Sequence, residues 1–384
     1  MAELKFIKAG AQEREPACCG PVQSAQQSHA REEEWPAWAT GTLMTDAGVI
    51  PVISTDLTAS DHWEHLKCRT SSFRNDYSVA PGLYAVGTPD RNTDVFVSAN
   101  YKLSFDALRK ALKGLSAWVL VLDTKGINVW CAAGKGTFGT EELVRRISFA
   151  KLDRVVDHRK IIVPQLGAPG ISAPGVKKVS GFKVCYGPVR AEDVGAYIAA
   201  GYEATLEMRR VKFSFVDRLV LTPMEINPAM KKYYPAYALI MLAIFGLQPT
   251  GIFFGDAFSG GLPFLLLGLT AILAGALVTP VLLPFIPFRS FAVKGWITGV
   301  LAVFLCMNFI PMAGRVNSVL LFFTYLFFPL ASSYVALQFT GSTTFTGISG
   351  VRKELKITIP LYISGSVVSL ILLLVYKLGE WRFI

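Results

Sequence analysis

Apolar and polar positions divide the chain into two unlike parts. Up to about residue 227, short apolar runs alternate with segments of helical period; beyond it the apolar runs lengthen and lose nearly all charge. In the first part GLYAVG (82–87), VFVSA (95–99), WVLVL (118–122), INVW (127–130), KIIVP (160–164) and FKVCYG (182–187) predict strands. Between them Ser104 is expected to cap a helix, FDALRKALKG, with Leu108 and Leu112 on one face and Gly114 as its stop. Thr140 is expected to cap Glu141–Phe149, whose first-turn acids suit the helix dipole, and Ala191–Ala200 predicts a further helix. This alternation predicts a Rossmann-like α/β domain, an open and mainly parallel sheet that binds ligands at the carboxyl ends of its strands.

In the second part Tyr234–Leu247, Leu262–Phe285, Phe291–Ile310, Ser318–Leu337 and Ile357–Tyr376 are long and nearly free of charge, and predict an all-α transmembrane domain of five helices. Pro280 and Pro329 are expected kinks. The expected organisation is a polar, poorly ordered segment over 1–45, an α/β domain over 46–227, and the membrane domain over 228–384.

Composition agrees with the membrane reading. Of 384 residues, 52% are hydrophobic, and mean hydropathy is +0.41. The formal charge is +10, but all but 8 of the 38 basic and all but 3 of the 28 acidic residues precede Tyr233, so the first part is only modestly basic. Nothing in it suggests nucleic-acid binding. Arg209, Arg210, Lys212, Arg218, Lys231 and Lys232 precede the first span, and Arg289, Lys294, Arg352, Lys353 and Lys356 lie in two later connections. The stretches 246–261 and 311–317 hold only Arg315. This asymmetry predicts an inner-membrane, multi-pass protein with its α/β domain in the cytoplasm. The start, MAELKFIKAG, has no apolar core of signal-peptide length, which agrees.

Candidate chemistry centres on Cys131 in INVWCAAGKGTFGTEE. A lone cysteine beside a strand is ordinarily a small buried hydrophobe. Here it opens a turn of small residues leading into a helix, where unpaired N–H groups and Lys135 would favour thiolate, a nucleophile or a metal ligand. His29, His62, His65 and His158 have no recognisable place beside it, which speaks against a cysteine hydrolase and for a soft ligand to a cofactor-borne metal. CAAGKGTFGT and PQLGAPGISAPG (164–175) form a shelf over which a large flat group can approach backbone. Neither is a phosphate or dinucleotide motif.

NVWCAAGK (128–135) resembles the cap-helix motif of the corrinoid protein of bacterial mercury methylation, matching it at every position. GLYAVG, VFVSANYKLSFDALRKAL and VPQLGAPGISA also resemble the corrinoid domain of the corrinoid iron–sulfur protein of acetyl-CoA synthesis. The mercury family adds five membrane helices to that domain. The resemblance implies a cobalamin-type corrinoid with Cys131 as lower axial ligand to cobalt, and Asn128, Val129, Trp130, Ala132, Ala133, Gly134 and Lys135 forming the cap. A donating thiolate favours departure of methyl with its bonding pair to Hg(II), giving methylmercury. It further implies a ferredoxin-like partner with two 4Fe–4S clusters as reductant, and a methyl donor protein of the methyltetrahydrofolate pathway.

Ser98, Asn100 and Ser104 are candidates to hydrogen-bond corrin amides, Ser104 equally a plain helix cap; Gln165, Gly167, Ala168 and Gly170 are candidates to line the corrin edge or nucleotide tail, or form only a tight loop. His62, His65 and Cys68 share a possible helix face, and adjacent Cys18 and Cys19 are flexible thiols or a soft-metal pair. Cys185 and Cys306 read as packing residues. The Asp-x-His-x-x-Gly pattern of histidine-ligated corrinoid proteins is absent. Two alternatives stay open: the same methyl carrier with another acceptor, in carbon fixation or metalloid methylation, and a transporter with a cytoplasmic regulatory domain. Against the transporter, the spans are expected to embed no Asp, Glu, Lys or Arg.

Overall fold

The computed structural model describes residues 36–309 and 317–381. Cys18, Cys19 and most of the N-terminal segment fall outside them. The chain begins with a hairpin, β1 (Ala39–Thr45) and β2 (Gly48–Ile53), whose turn is Asp46-Ala47. The first of these strands lies ahead of the expected boundary at 46. Helix α1 (Ala59–Thr70) comes next, then β3 (Gly82–Val86), β4 (Val95–Ala99), α2 (Lys102–Ala111) and β5 (Ala117–Leu122). After them come α3 (Val129–Lys135), α4 (Thr140–Phe149), α5 (Leu152–Val155), β6 (Lys160–Val163), α6 (Ala173–Ser180), β7 (Lys183–Tyr186) and α7 (Val194–Ala199).

The seven strands form one sheet in the order β1-β2-β3-β5-β4-β6-β7. It is mixed but mainly parallel, as expected: β5, β4, β6 and β7 are parallel and β2 pairs parallel with β3, while β3 runs antiparallel to β5 and β1 to β2. β4 and β5 are buried along their whole length, as their unbroken apolar sequences require. From β4 the chain crosses to β5 on one side, whereas β6 leads to β7 on the other. The connections diverge at β4 and β6, and a crevice forms outside their carboxyl ends.

INVW is not a strand. Residues 123–128 form a turn, with Lys125 and Gly126 at φ 59° and 68°, and α3 starts at Val129. α2 begins at Lys102 after Tyr101, so Ser104 sits inside its first turn rather than capping it; Gly139, not Thr140, precedes α4.

A linker of two short helices, α8 (Phe215–Leu221) and α9 (Pro223–Pro228), leads to α10 (Tyr234–Gly246). Beyond it lie α11 (Phe254–Leu273), α12 (Thr279–Val281), α13 (Phe291–Phe309), α14 (Ser318–Gln338) and α15 (Ile348–Glu380). Among the described residues, four helical runs are long and apolar enough to cross a membrane: Phe254–Val281, Phe291–Phe309, Ser318–Gly341 and Ser349–Glu380. The expected first span contains only the 13 residues of α10, about 20 Å of helix against a hydrocarbon core of about 30 Å.

Small residues bring these helices together. A side chain at Gly299 would collide with Ser332, and one at Gly275 or Gly295 with the same stretch of α14. Pro280 and a π turn at Ala274–Val278 interrupt the regular helical ladder, and there the Thr279 hydroxyl also donates to the Ala274 carbonyl at 2.8 Å; across the helix packing Ser332 of α14 donates to the Gly295 carbonyl of α13 at 2.8 Å. The expected absence of embedded charge needs correction. Lys294 is buried in the first turn of α13, donating to the Leu283 carbonyl, and Lys377 is buried near the end of α15, paired with Glu380 at 2.7 Å. Both stand near helix ends.

Candidate functional site

The crevice at β4 and β6 is a cleft of about 280 Å³. Its floor is Phe96 to Ser98 of β4 and Ile162 of β6; one wall is Ser104 and Leu108 of α2, and its rim is Asn128, Val129 and Trp130 at the start of α3. Cys131 is the next residue, half-buried, and is not itself part of the lining. Trp130 is 38% exposed, an apolar ring left open at the rim.

Local chemistry sets the position of α3. Asn100, one residue past β4, is buried, and its Oδ1 accepts from the Thr124 amide, the Gly126 amide and the Thr124 hydroxyl at 3.0, 3.0 and 2.8 Å. That triple contact holds the 123–128 turn to the end of β4. Asn128 then caps the helix, its Oδ1 accepting from the Cys131 amide at 2.9 Å. Ala132 and Ala133 face the core, and Gly136, left-handed at φ 82°, ends the helix after Lys135. Cys131 is therefore tied through its own backbone to the cap residue.

From below, the second glycine-rich loop grips α3. Phe138 is fully buried, and its N–H donates to the Ala132 carbonyl at 3.1 Å. A Cβ at Gly167 would strike the Phe138 ring, and one at Gly170 the Phe138 carbonyl and Ala133. The Thr140 amide donates to the Gly170 carbonyl at 3.2 Å, and the Ser172 amide returns a bond to Thr140 Oγ1 at 2.8 Å. These glycines thus admit the cap's own residues, Phe138 and Ala133, at close range.

The structure brings Ser98, Ser104, Asn128, Val129 and Trp130 to one cleft with Cys131 beside it. It separates the others. Asn100 serves the turn; Gln165, Gly167 and Ala168 lie in or just after a 3-10 turn, with Gly170 three residues beyond its end, and none of the four lines the cleft; Gly134 and Lys135 are exposed at the far end of α3. Leu166 and the Gly187-Pro188-Val189 turn after β7 are lining residues that the sequence reading missed. The signal was present: FKVCYG reads as a strand, and the turn at its carboxyl end belongs to the crevice by the same rule that singled out the other loops. His65 Nε2 meets Asp106 at 2.8 Å and Cys68 Sγ meets Tyr101 at 3.0 Å, so that trio is divided between two contacts of the α1–α2 packing.

Residues 67–197 match the family model described as the CO dehydrogenase/acetyl-CoA synthase delta subunit. The α/β domain is similar to acetyl-CoA synthase subunits. The gamma subunit of the acetyl-CoA decarbonylase/synthase complex of Archaeoglobus fulgidus is 30% identical over 118 residues, 30% of this chain and 25% of that protein. Its counterpart in Methanopyrus kandleri is 27% identical over 134 residues, 34% and 29% of the two chains. The corrinoid/iron-sulfur protein large subunit of Moorella thermoacetica is 26% identical over 150 residues, 37% and 33%. The chain thus spans about a quarter to a third of the length of these relatives. The matched family segment holds β3 to β7, the cleft and α3, and stops before the apolar helices.

The residues at the cleft suit a large cofactor carrying a soft metal. Cys131 offers a soft donor beside the rim, Trp130 an uncovered apolar face, and Ser98 a buried hydroxyl whose bond to the Ala99 carbonyl is long, at 3.3 Å. At 280 Å³ the cleft is at the small end of ligand pockets, suited to one edge of such a group.

Proposed function

We propose that the chain is a membrane-anchored corrinoid methyltransferase whose acceptor is Hg(II) and whose product is methylmercury. The observation that carries this is Cys131, fixed by the Asn128 cap at the mouth of the β4–β6 crevice, in a segment similar to a corrinoid/iron-sulfur protein. When bound, the corrinoid supplies a methyl group able to leave cobalt with its bonding pair, and Hg(II), soft and electron-poor, is the substrate that accepts it. Cys131 Sγ would be the protein's ligand to the cobalt. Asn128 caps the helix that carries that sulfur, Trp130 would lay its exposed apolar ring against the cofactor at the rim, and Ser98 and Ser104 offer hydroxyls to the ring's amides. The reductant is proposed to be a ferredoxin-like protein with two 4Fe–4S clusters, and the methyl source a protein of the methyltetrahydrofolate pathway. The likeness to acetyl-CoA synthase subunits favours one second reading, the same methyl carrier with a carbon-fixation acceptor.

We also propose five crossings of the inner membrane. Arg218 and Phe213 precede α10, yet Arg218 Nη2 donates to the Val281 carbonyl at 3.1 Å and Phe213 packs with Leu283 and Phe291, all beyond α11. The chain therefore leaves and returns to one end of the bundle. α10 and α11 run as an antiparallel pair, with Phe245 against Gly260 and Tyr237 against Gly268, so α10 traverses with α11.

The deciding experiment is the visible spectrum of the full chain in detergent, loaded with methylcobalamin and mixed anaerobically with thiol-bound Hg(II). A spectrum altered from the base-on form, lost in Cys131→Ala, with methylmercury appearing as methyl–cobalt disappears, is expected. Altered binding without transfer would sink mercury as acceptor and leave the second reading; unaltered binding by Cys131→Ala would remove the thiolate ligand.

A further inference from the structure

A second cavity, larger than the cleft, lies among the apolar helices. It is a groove of about 1310 Å³ between α13 and α15, with α14 as its back wall. α15 packs on α14 and leaves α13 open, so only 22% of its apolar stretch is buried, against 44 to 50% for the other three candidate spans. Along most of its length the groove is apolar, walled by Trp296, Leu330, Leu361 and Val368. One end differs.

At that end Arg289, Lys294 and Lys353 line the groove with a single acid, Glu354. Glu354 is engaged already: its Oε1 accepts from the Ala292 amide at 2.7 Å and from the Ser290 hydroxyl, closing the start of α13. Lys294 is bonded to the Leu283 carbonyl. Arg289 and Lys353 are exposed, and among the described residues neither is in an ion pair. Phe213, just after the α/β domain, packs on Phe339 and Phe345 here, so the charged end faces that domain. From Lys353 to Val368 the groove runs along about 22 Å of helix, more than the roughly 15 Å depth of one leaflet.

We propose that the groove binds one anionic glycerophospholipid, its phosphate between Arg289 and Lys353 and an acyl chain along α13 and α15. An apolar trough with a surplus of positive charge at one end complements a lipid that has one negative head and a long tail. A second protein helix would need its own acid at the same depth, and a soluble phosphate has no use for the trough. The inference rests on the membrane reading of these helices and is independent of the methyl-transfer reading.

The test is native mass spectrometry of the full chain, delipidated in detergent, then given phosphatidylglycerol or phosphatidylcholine with identical acyl chains. Phosphatidylglycerol should be retained at least tenfold better. Arg289→Gln with Lys353→Gln should bring it down to the phosphatidylcholine level with an unchanged circular dichroism spectrum, and Leu361→Trp, which fills the trough, should exclude both lipids. Equal retention of the two lipids by the native chain, or undiminished phosphatidylglycerol in the double variant, would overturn the proposal. So would displacement by glycerol phosphate alone, which would make this a soluble-phosphate site. A chain that stays monodisperse without detergent would overturn the membrane reading beneath it, whatever the methyl-transfer assay shows.

Discussion

At the scale of single residues, two asparagines do the positioning. Asn100 was expected to face a ligand, and instead its three accepted bonds hold the turn before the cap. No sequence pattern distinguishes these roles, because both ask for a polar side chain at the end of a buried strand. Asn128 was legible within the NVWCAAGK motif, and its physical task is that of an N-cap. Asn128→Ala should cost about 1 kcal/mol of stability, the usual worth of such a cap. It should weaken the Cys131-dependent corrinoid spectrum, while Asn128→Asp, which can still accept from the Cys131 amide, should keep it. If Asn128→Ala bound corrinoid with an unaltered spectrum, capping would be irrelevant to how the sulfur is presented. Gly170→Ala tests the grip from below: its methyl group would enter space held by Phe138 and Ala133, and the same spectrum should be lost although Cys131 and Asn128 are intact.

At the scale of elements, the buried strands β3 to β7 were readable because continuous apolar runs have no other home in a domain of this kind. The cap helix was legible only through the NVWCAAGK motif. INVW is rich in strand-favouring residues, and seven residues are too few for a helical period to show; the Asn128 cap and the Gly136 stop, both local, override propensity. The hairpin β1–β2 was missed although Asp46-Ala47-Gly48 marks its turn. Between α1 and α2 lies a buried network that also escaped notice: Lys102 bonds Asp61 at 2.9 Å and Asp106 at 2.7 Å, while Arg109 meets Asp106 at 2.6 Å. Two acids balance two bases, and since Asp106 can only accept, His65 Nε2 carries the proton between them. Burial pushes the Asp106 carboxyl up, but His65, Lys102 and Arg109 together hold it below the ordinary aspartate range. Asp61 is likewise pushed up by burial and held down by the Thr58 amide and Lys102. A depressed carboxylate stabilises the fold fully above its unfolded value of about 3.9 and loses that contribution as pH falls through the folded value. The full chain's melting temperature should therefore drop as pH falls below about 4, and Asp106→Asn should flatten the drop. At neutral pH Asp106→Ala, which leaves buried cations unpaired, should cost about 3 to 5 kcal/mol. An identical acid profile in Asp106→Asn would mean that the network contributes nothing through its charge.

At the scale of the whole molecule, the α/β domain is fastened to the linker helices α8 and α9 by specific contacts as well as by chain. Asn227 donates to the Thr70 carbonyl, Arg74 reaches Met224 Sδ at 3.4 Å, and Arg190 pairs with Asp217 at 2.7 Å across the linker. This fastening matters for topology. Charge asymmetry alone argued for a cytoplasmic domain, but hydropathy could not settle whether the 13 residues of α10 cross. With five crossings Thr250, exposed in the short connection after α10, lies outside, and Ser349, at the start of α15, lies inside; with only the four longer helices crossing, Thr250 shares the side of the α/β domain. Thr250→Cys should react with a membrane-impermeant maleimide in intact cells, and Ser349→Cys only after lysis. With α10 not crossing and the α/β domain inside, the pattern would reverse, Thr250→Cys protected until lysis and Ser349→Cys labelled in intact cells, at odds with the contacts of Arg218 and Phe213. Lys178→Cys, on the exposed surface of the α/β domain, labelled in intact cells would put the cleft outside, beyond the reach of a cytoplasmic iron–sulfur reductant, and methyl transfer by the proposed cycle would then have no source of electrons.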